Sequence, residues 1–234
     1  MSTALMYSFA QLERIRVVDE PLYGHYLRVS GAEHPGGDDV MAAMNCDGGQ
    51  VMRDLLEAQA GEPSIRYFIK HMAHHLFDID LDFTRRSCNV FLIRDPFEML
   101  PSLTIQVPHA GLADTGLQRQ CELYADLVAA GDNPAVLDSR ELLLNPASVL
   151  RQLCDRIGVS YCDDMLRWEA GPRPEDGVWA PHWYHAVHQS TGFSPYNAKT
   201  EFPEALQPLL TECQPWYDEL FVNAIRANTI GESP

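Results

Sequence analysis

Two residues eight positions apart, Arg94 and Ser102, carry the plainest chemistry in this chain. Arg94 closes an apolar run, Val90-Phe91-Leu92-Ile93, and precedes Asp95-Pro96. A short apolar run of this kind reads as a strand buried on both faces, as in a parallel sheet, and Asp-Pro reads as a turn and helix start. In open α/β sheets, ligands bind outside the carboxyl ends of the strands. A guanidinium placed there offers a planar fork of donors, and the Ser102 hydroxyl adds another, so the pair suits a phosphate group. The plainer alternative is an arginine paired with a surface acid.

Other candidates follow the same logic. Ser2 and Thr3 open a helical stretch, where amide donors and the helix dipole favour an anion; an ordinary helix cap is the alternative. Asp19-Glu20-Pro21 stands at the end of a candidate strand, Arg16-Val17-Val18, and adjacent strand residues face opposite ways. Lys70-His71 ends a second candidate strand, Tyr67-Phe68-Ile69, and lysine recurs only at Lys199. His71 and His75 have the i, i+4 spacing of a metal-binding helix face, but no H-E-x-x-H glutamate lies between them, so no metal site is expected. The segment from Trp179 to Phe193 has the aromatic density of a binding surface, with His182, Trp183, Tyr184 and His188 as candidate substrate contacts.

Taken in order, these pieces resemble the PAPS-dependent sulfotransferases, PAPS being 3'-phosphoadenosine 5'-phosphosulfate. Strand-Arg-Asp-Pro with serine eight residues after the arginine is similar to that family's 3'-phosphate motif. Met1-Ser2-Thr3-Ala4-Leu5-Met6 resembles the tail of the loop cradling the 5'-phosphosulfate. Val17-Val18-Asp19-Glu20-Pro21-Leu22-Tyr23 resembles the second strand and its acidic end in bacterial members, and Leu137 to Leu142 with Asn145-Pro146 resembles a later segment. The resemblance runs from residue 1 to about residue 195.

The resemblance implies a P-loop NTPase-like α/β fold, a three-layer parallel sheet with helices on both faces. It also implies metal-free sulfuryl transfer from PAPS to a hydroxyl or amine of a small acceptor. Arg94 and Ser102 would then hold the 3'-phosphate, and Ser2 and Thr3 the phosphosulfate. Glu20 would be the general base, with Asp19 as the alternative, and Lys70 would stabilise charge on the leaving phosphate. Lys70-His71 stands where cytosolic members have Lys-Thr-His, which makes His71 a catalytic candidate beside Glu20 and Lys70; the register departs, so whether His71, His74 or His75 could act as base stays open. Two further departures touch the nucleotide: the family's late Gly-x-x-Gly loop is absent, and Ser139 stands where a tyrosine is expected for adenine. The family's first strand and half its phosphosulfate loop would precede Met1, about 10 to 15 residues by ordinary element lengths. A chain expressed as written is therefore expected to fold poorly or be inactive. Two rival readings are a non-catalytic nucleotide-binding or scaffolding relative, and a small-molecule kinase on the same fold. The kinase lacks a complete G-x-x-x-x-G-K-[ST] loop here.

The elements needed to place these residues are legible. Helical spacing marks residues 2–10, Val51 to Ala60, Leu117 to Ala130, Pro146 to Ile157 and 203–227, the last followed by a tail of seven residues. Residues 31–49 read as a surface loop, 71–83 as helical or irregular, and 172–195 as a long functional loop. One domain over 1–234 is expected. A formal charge of −16 argues against nucleic acid as a partner, and no run of about 18–20 apolar residues spans a membrane. No signal peptide pattern opens the chain, so a cytoplasmic location is expected. Six cysteines without a C-x-x-C pair are read as reduced.

Overall fold

The computed structural model describes residues 1–228, so the expected tail lies outside the described residues except for Asn228. The described chain divides into two compact units, residues 1–83 with 162–193, and residues 84–161 with 194–228.

The first unit begins α1 (Ser2–Phe9), β1 (Ile15–Asp19), α2 (Tyr23–Ser30), α3 (Gly37–Ala43), α4 (Gly48–Gly61), β2 (Arg66–Lys70). Met1 is the N-cap of α1 and no side chain caps it, so Ser2 and Thr3 are helical residues rather than caps. Leu5, Met6, Tyr7 and Phe9 of α1 are all buried, and Phe9 stacks on Phe68 of β2 at 4.6 Å. Each such side chain contributes roughly 1.5–3 kcal/mol by leaving water, enough to hold this short helix in place. The expected loop over 31–49 instead contains α3 and the start of α4. Asp38 and Asp39 in the first turn complement the dipole of α3, and Val40 is wholly buried among aromatic rings. Residues 71–83 contain a single 3₁₀ turn, Ala73–His75.

The second unit continues with β3 (Val90–Ile93), α5 (Pro96–Gln106), α6 (Leu112–Thr115), α7 (Leu117–Ala129), β4 (Ala135–Asp138), α8 (Ser139–Leu144) and α9 (Pro146–Ile157). The chain then supplies two one-turn helices to the first unit, α10 (Ala180–Trp183) and α11 (His185–His188), inside the segment expected as loop. It closes the second unit with α12 (Gln207–Phe221) and β5 (Ala224–Ile225). The helix expected to reach residue 227 thus stops early, because Ala224 and Ile225 pair with Val136 and Leu137 of β4. Two residues are too few to show a period.

Among the described residues the five strands pair in parallel, β1 with β2 in the first unit and in the order β3-β4-β5 in the second; a lone antiparallel bridge joins Arg167 and Gly192. The parallel α/β class therefore holds, with the strands of the described residues in two ladders. All four residues of central β4 are buried. In β3, an edge of its ladder, only Phe91 and Ile93 are, so the expectation of burial on both faces fails there. No helix among the described residues is long and apolar enough to cross a membrane.

Candidate active site

Parallel pairing makes β1 and β2 end side by side, with Asp19 opposite Lys70. Lys70 is only 5% exposed, and a buried ammonium is stable only where carboxylates and hydrogen bonds replace its hydration. Its Nζ donates to Asp19 Oδ1 at 2.8 Å, Tyr184 Oη at 2.6 Å and Thr3 Oγ1 at 3.3 Å, and lies 2.6 Å from Glu20 Oε1. Burial works against the Lys70 charge, but Glu20 and Asp19 outweigh it and hold the ammonium protonated well above its ordinary range. Burial raises the Glu20 carboxyl; Lys70 opposes that rise and Asp19 reinforces it.

Consecutive acids in a regular strand would point apart. Here both reach one ammonium because Glu20 leaves the strand with φ of 40°, the left-handed region, at a cost of order 1–3 kcal/mol. Its N–H donates to Lys70 O at 2.9 Å and its carbonyl accepts from Tyr23 N at 3.0 Å, which hold the bend. Lys70 takes Oε1; Oε2 lies toward His75 Nδ1 at 3.6 Å, outside hydrogen-bond range.

The histidines separate because residues 71–75 are not one helix. His71 turns toward Phe83, ring centroids 5.9 Å apart, and burial pulls it down to about 4. Its Nδ1 is buried without a hydrogen bond. His75, not His71, is the histidine beside Glu20, stacked between Tyr23 at 4.8 Å and Tyr26 at 4.5 Å. Burial, and then neighbouring His74, hold it well below its ordinary value, so it is a neutral imidazole. Among the described residues no three His, Cys, Asp or Glu side chains are grouped as metal ligands.

The late segment divides its candidates. His182 is exposed beside Gly36, and Trp183 is half-buried with its ring edge-on to His34 at 6.1 Å. His188 is held by Asp176 through Nε2 at 2.8 Å, and Asp176 also accepts from Tyr7 Oη at 2.6 Å. Tyr184 is buried, its hydroxyl taken up by Lys70, Asp19 and Trp179. That saturation sets it among the charged groups rather than on an open surface.

In the second unit, Arg94 leaves β3 and α5 carries Glu98 and Ser102 at successive four-residue steps, so the three fall on one line. Asp95 caps α5, accepting from Phe97 N at 2.8 Å, with Pro96 at the first helical position. Arg94 is 36% exposed, its Nε 4.0 Å from Glu98 Oε2, an ion pair of little energetic weight. Lys199 Nζ donates to Glu98 O at 2.9 Å and lies 3.5 Å from the exposed Ser102 hydroxyl. Partial burial, and then the Arg94 charge, lower the Lys199 pKa. Two cations, Arg94 and Lys199, thus gather with the Ser102 hydroxyl around Glu98. Tyr196 Oη donates to Glu98 Oε1, and the Arg140 guanidinium lies over its ring at 5.7 Å. Ser139 is buried and donates to Ile93 O at 2.9 Å.

A family model described as a sulfotransferase domain matches residues 1–224. The chain belongs to the sulfotransferase family. Two proteins of Arabidopsis thaliana, branched-chain-amino-acid aminotransferase-like proteins 1 and 2, are 40% identical over 236 residues and 39% identical over 222. These alignments take in 100% and 94% of this chain but 42% and 39% of the relatives, so the chain spans about two fifths of their length. No solved structure matches. Sulfotransferases usually take PAPS as co-substrate. For this sulfotransferase chain the structure groups Thr3, Glu20 and Lys70 in one unit, and Arg94 and Ser102 in the other. Sequence reasoning missed Lys199 near Arg94 and Tyr196 on Glu98; the rarity of lysine was the available signal for Lys199. It left Asp19 as the alternative base; in the buried network Asp19 is bonded to Lys70 and Tyr184.

Proposed function

We propose that this chain transfers the sulfuryl group of PAPS to the hydroxyl or amine of a small acceptor. The observation that carries the reading is the buried Glu20–Lys70–Asp19 cluster at paired strand ends in a chain of the sulfotransferase family. PAPS supplies an activated sulfuryl group on a phosphate leaving group. In-line transfer of this kind asks the protein for positioning, cations and a base.

The residues present fit those needs. Arg94, Lys199 and Ser102 offer two positive charges and a hydroxyl to the 3'-phosphate. Ser2 and Thr3 open α1, and the Thr3 hydroxyl already meets the Lys70 ammonium, which suits the phosphosulfate end. Glu20 takes the acceptor's proton at Oε2, the oxygen Lys70 leaves clear. Burial raises its carboxyl, which makes it a stronger base than a solvated glutamate. His182 and Trp183 remain as acceptor contacts, while the tie of His188 to Asp176 makes it a brace of the segment.

Calorimetry with 3',5'-adenosine bisphosphate, against ATP with magnesium, tests the donor. Tight binding of the bisphosphate that Arg94→Ala weakens about tenfold to a hundredfold supports the reading, and preference for ATP overturns it in favour of a kinase. For the chemical step, Glu20→Gln should abolish transfer while keeping the bisphosphate bound. The non-catalytic alternative draws on one observation, that carboxylates and hydroxyls already occupy the Lys70 donors. It predicts bisphosphate binding with no transfer by the native chain.

A further inference from the structure

Two carboxylates compete for one buried ammonium at the end of β1, and what divides it between them comes from 165 residues further along the chain. A tyrosine hydroxyl has one proton to give and two lone pairs to offer. The Tyr184 hydroxyl accepts from Lys70 Nζ at 2.6 Å and from Trp179 Nε1 at 3.1 Å, and donates to Asp19 Oδ2 at 2.7 Å. All its capacity is used. Asp19 is matched on both oxygens, by Lys70 on Oδ1 and by Tyr184 on Oδ2, with Gly177 N a further 3.5 Å away. Glu20 has Lys70 on one oxygen only.

We infer that Tyr184 is a positioning residue, tying Asp19 down so that Glu20 is the carboxylate left to accept the acceptor's proton. The role of Glu20 in this inference rests on the sulfotransferase reading; the partition itself does not. The groups facing Glu20 are Asp19 on β1, Tyr23 on α2, Lys70 on β2, His75 on the 3₁₀ turn and Tyr184 after α10. Burial raises the Tyr184 hydroxyl well above its ordinary range, so it keeps the proton it gives to Asp19. Without that hydroxyl, Asp19 Oδ2 keeps only the long bond from Gly177 N at 3.5 Å in a dry site, and Asp19 draws more of the ammonium. Glu20 then shares less of Lys70, stands beside a less neutralised neighbour, and holds its proton to higher pH.

Carboxyl-¹³C NMR titration reads this directly, with Glu20 and Asp19 assigned from Glu20→Gln and Asp19→Asn. In Tyr184→Phe the Glu20 midpoint should rise by about one pH unit, the size of one lost hydrogen bond to a charged group. The acid limb of kcat/KM should rise with it. Asp19→Asn should lower the Glu20 midpoint, and adding Tyr184→Phe to it should produce no further rise. A Glu20 midpoint unmoved in Tyr184→Phe, with only the acceptor KM increased, overturns the inference and makes Tyr184 an acceptor contact. Should Tyr184→Phe not fold, Asp19→Asn still decides: a Glu20 midpoint that does not fall overturns the partition. The NMR arm needs no turnover, so absence of transfer by the native chain defeats the functional reading and leaves the Tyr184 result standing alone.

Discussion

Lys70 and Lys199 are the two lysines of this chain, and their surroundings differ in almost every respect. Lys70 is buried against Asp19, Glu20 and Tyr184, and its charge is locked on. Lys199 is exposed, bonded to a backbone carbonyl and near a hydroxyl, and partial burial with Arg94 nearby lowers its affinity for a proton. A cation already matched by two carboxylates organises its neighbours. A cation next to another cation has charge left for a ligand. The first unit therefore carries a buried cluster of matched charges, and the second two neighbouring cations with the Glu98 carboxylate beside them.

The contrast makes predictions of decreasing size. Lys70→Met would leave Asp19 and Glu20 buried together without a counter-charge, costing about 3–5 kcal/mol in urea unfolding, whereas Lys199→Ala should stay within about 0.5 kcal/mol. Equal losses would erase the distinction between the two sites. Next comes acid sensitivity. His71 titrates near 4 when folded and at 6.5 when not, so the stability its neutral form contributes is full above pH 6.5 and is lost as pH falls toward 4. His71→Leu should flatten that window by about 3 kcal/mol, visible as a urea midpoint that changes less with pH. In the second unit, Arg94→Ala should weaken bisphosphate binding about tenfold to a hundredfold while the melting temperature holds; a fall in both would mark Arg94 as structural. Smallest is Glu98→Gln. Removing the carboxylate 4.0 Å from Arg94 should tighten bisphosphate binding by about two- to fivefold, the scale of a long, partly exposed ion pair. Weaker binding would show Glu98 to be an orienting group instead.

Much of this was readable from residues alone. Val90–Ile93 with Arg94 and Asp95-Pro96 announced a strand, a cation at its end and a capped helix, because each signal acts over a few residues. Pro146 to Ile157, with Asn145 before it and Gly158 in the left-handed conformation after it, is the same kind of local statement. The strand ends at Asp19 and Lys70 were likewise visible. The two-residue strand β5 was not, since its pairing depends on a β4 edge about 90 residues earlier in the chain. Nor could periodicity find α10 and α11, each a single turn.

Local chemistry, then, determined which residue types stand at the strand ends and which helices flank them, because caps, turns and apolar runs act through near neighbours. Which histidine meets Glu20, how two adjacent acids share one ammonium, and why Tyr184 is spent on Asp19 were decided only by tertiary structure. Those outcomes depend on a left-handed bend at a single residue and on side chains brought together from positions 3, 19, 70 and 184. Burial then multiplies the consequences, since in a dry site each donor has one place to go.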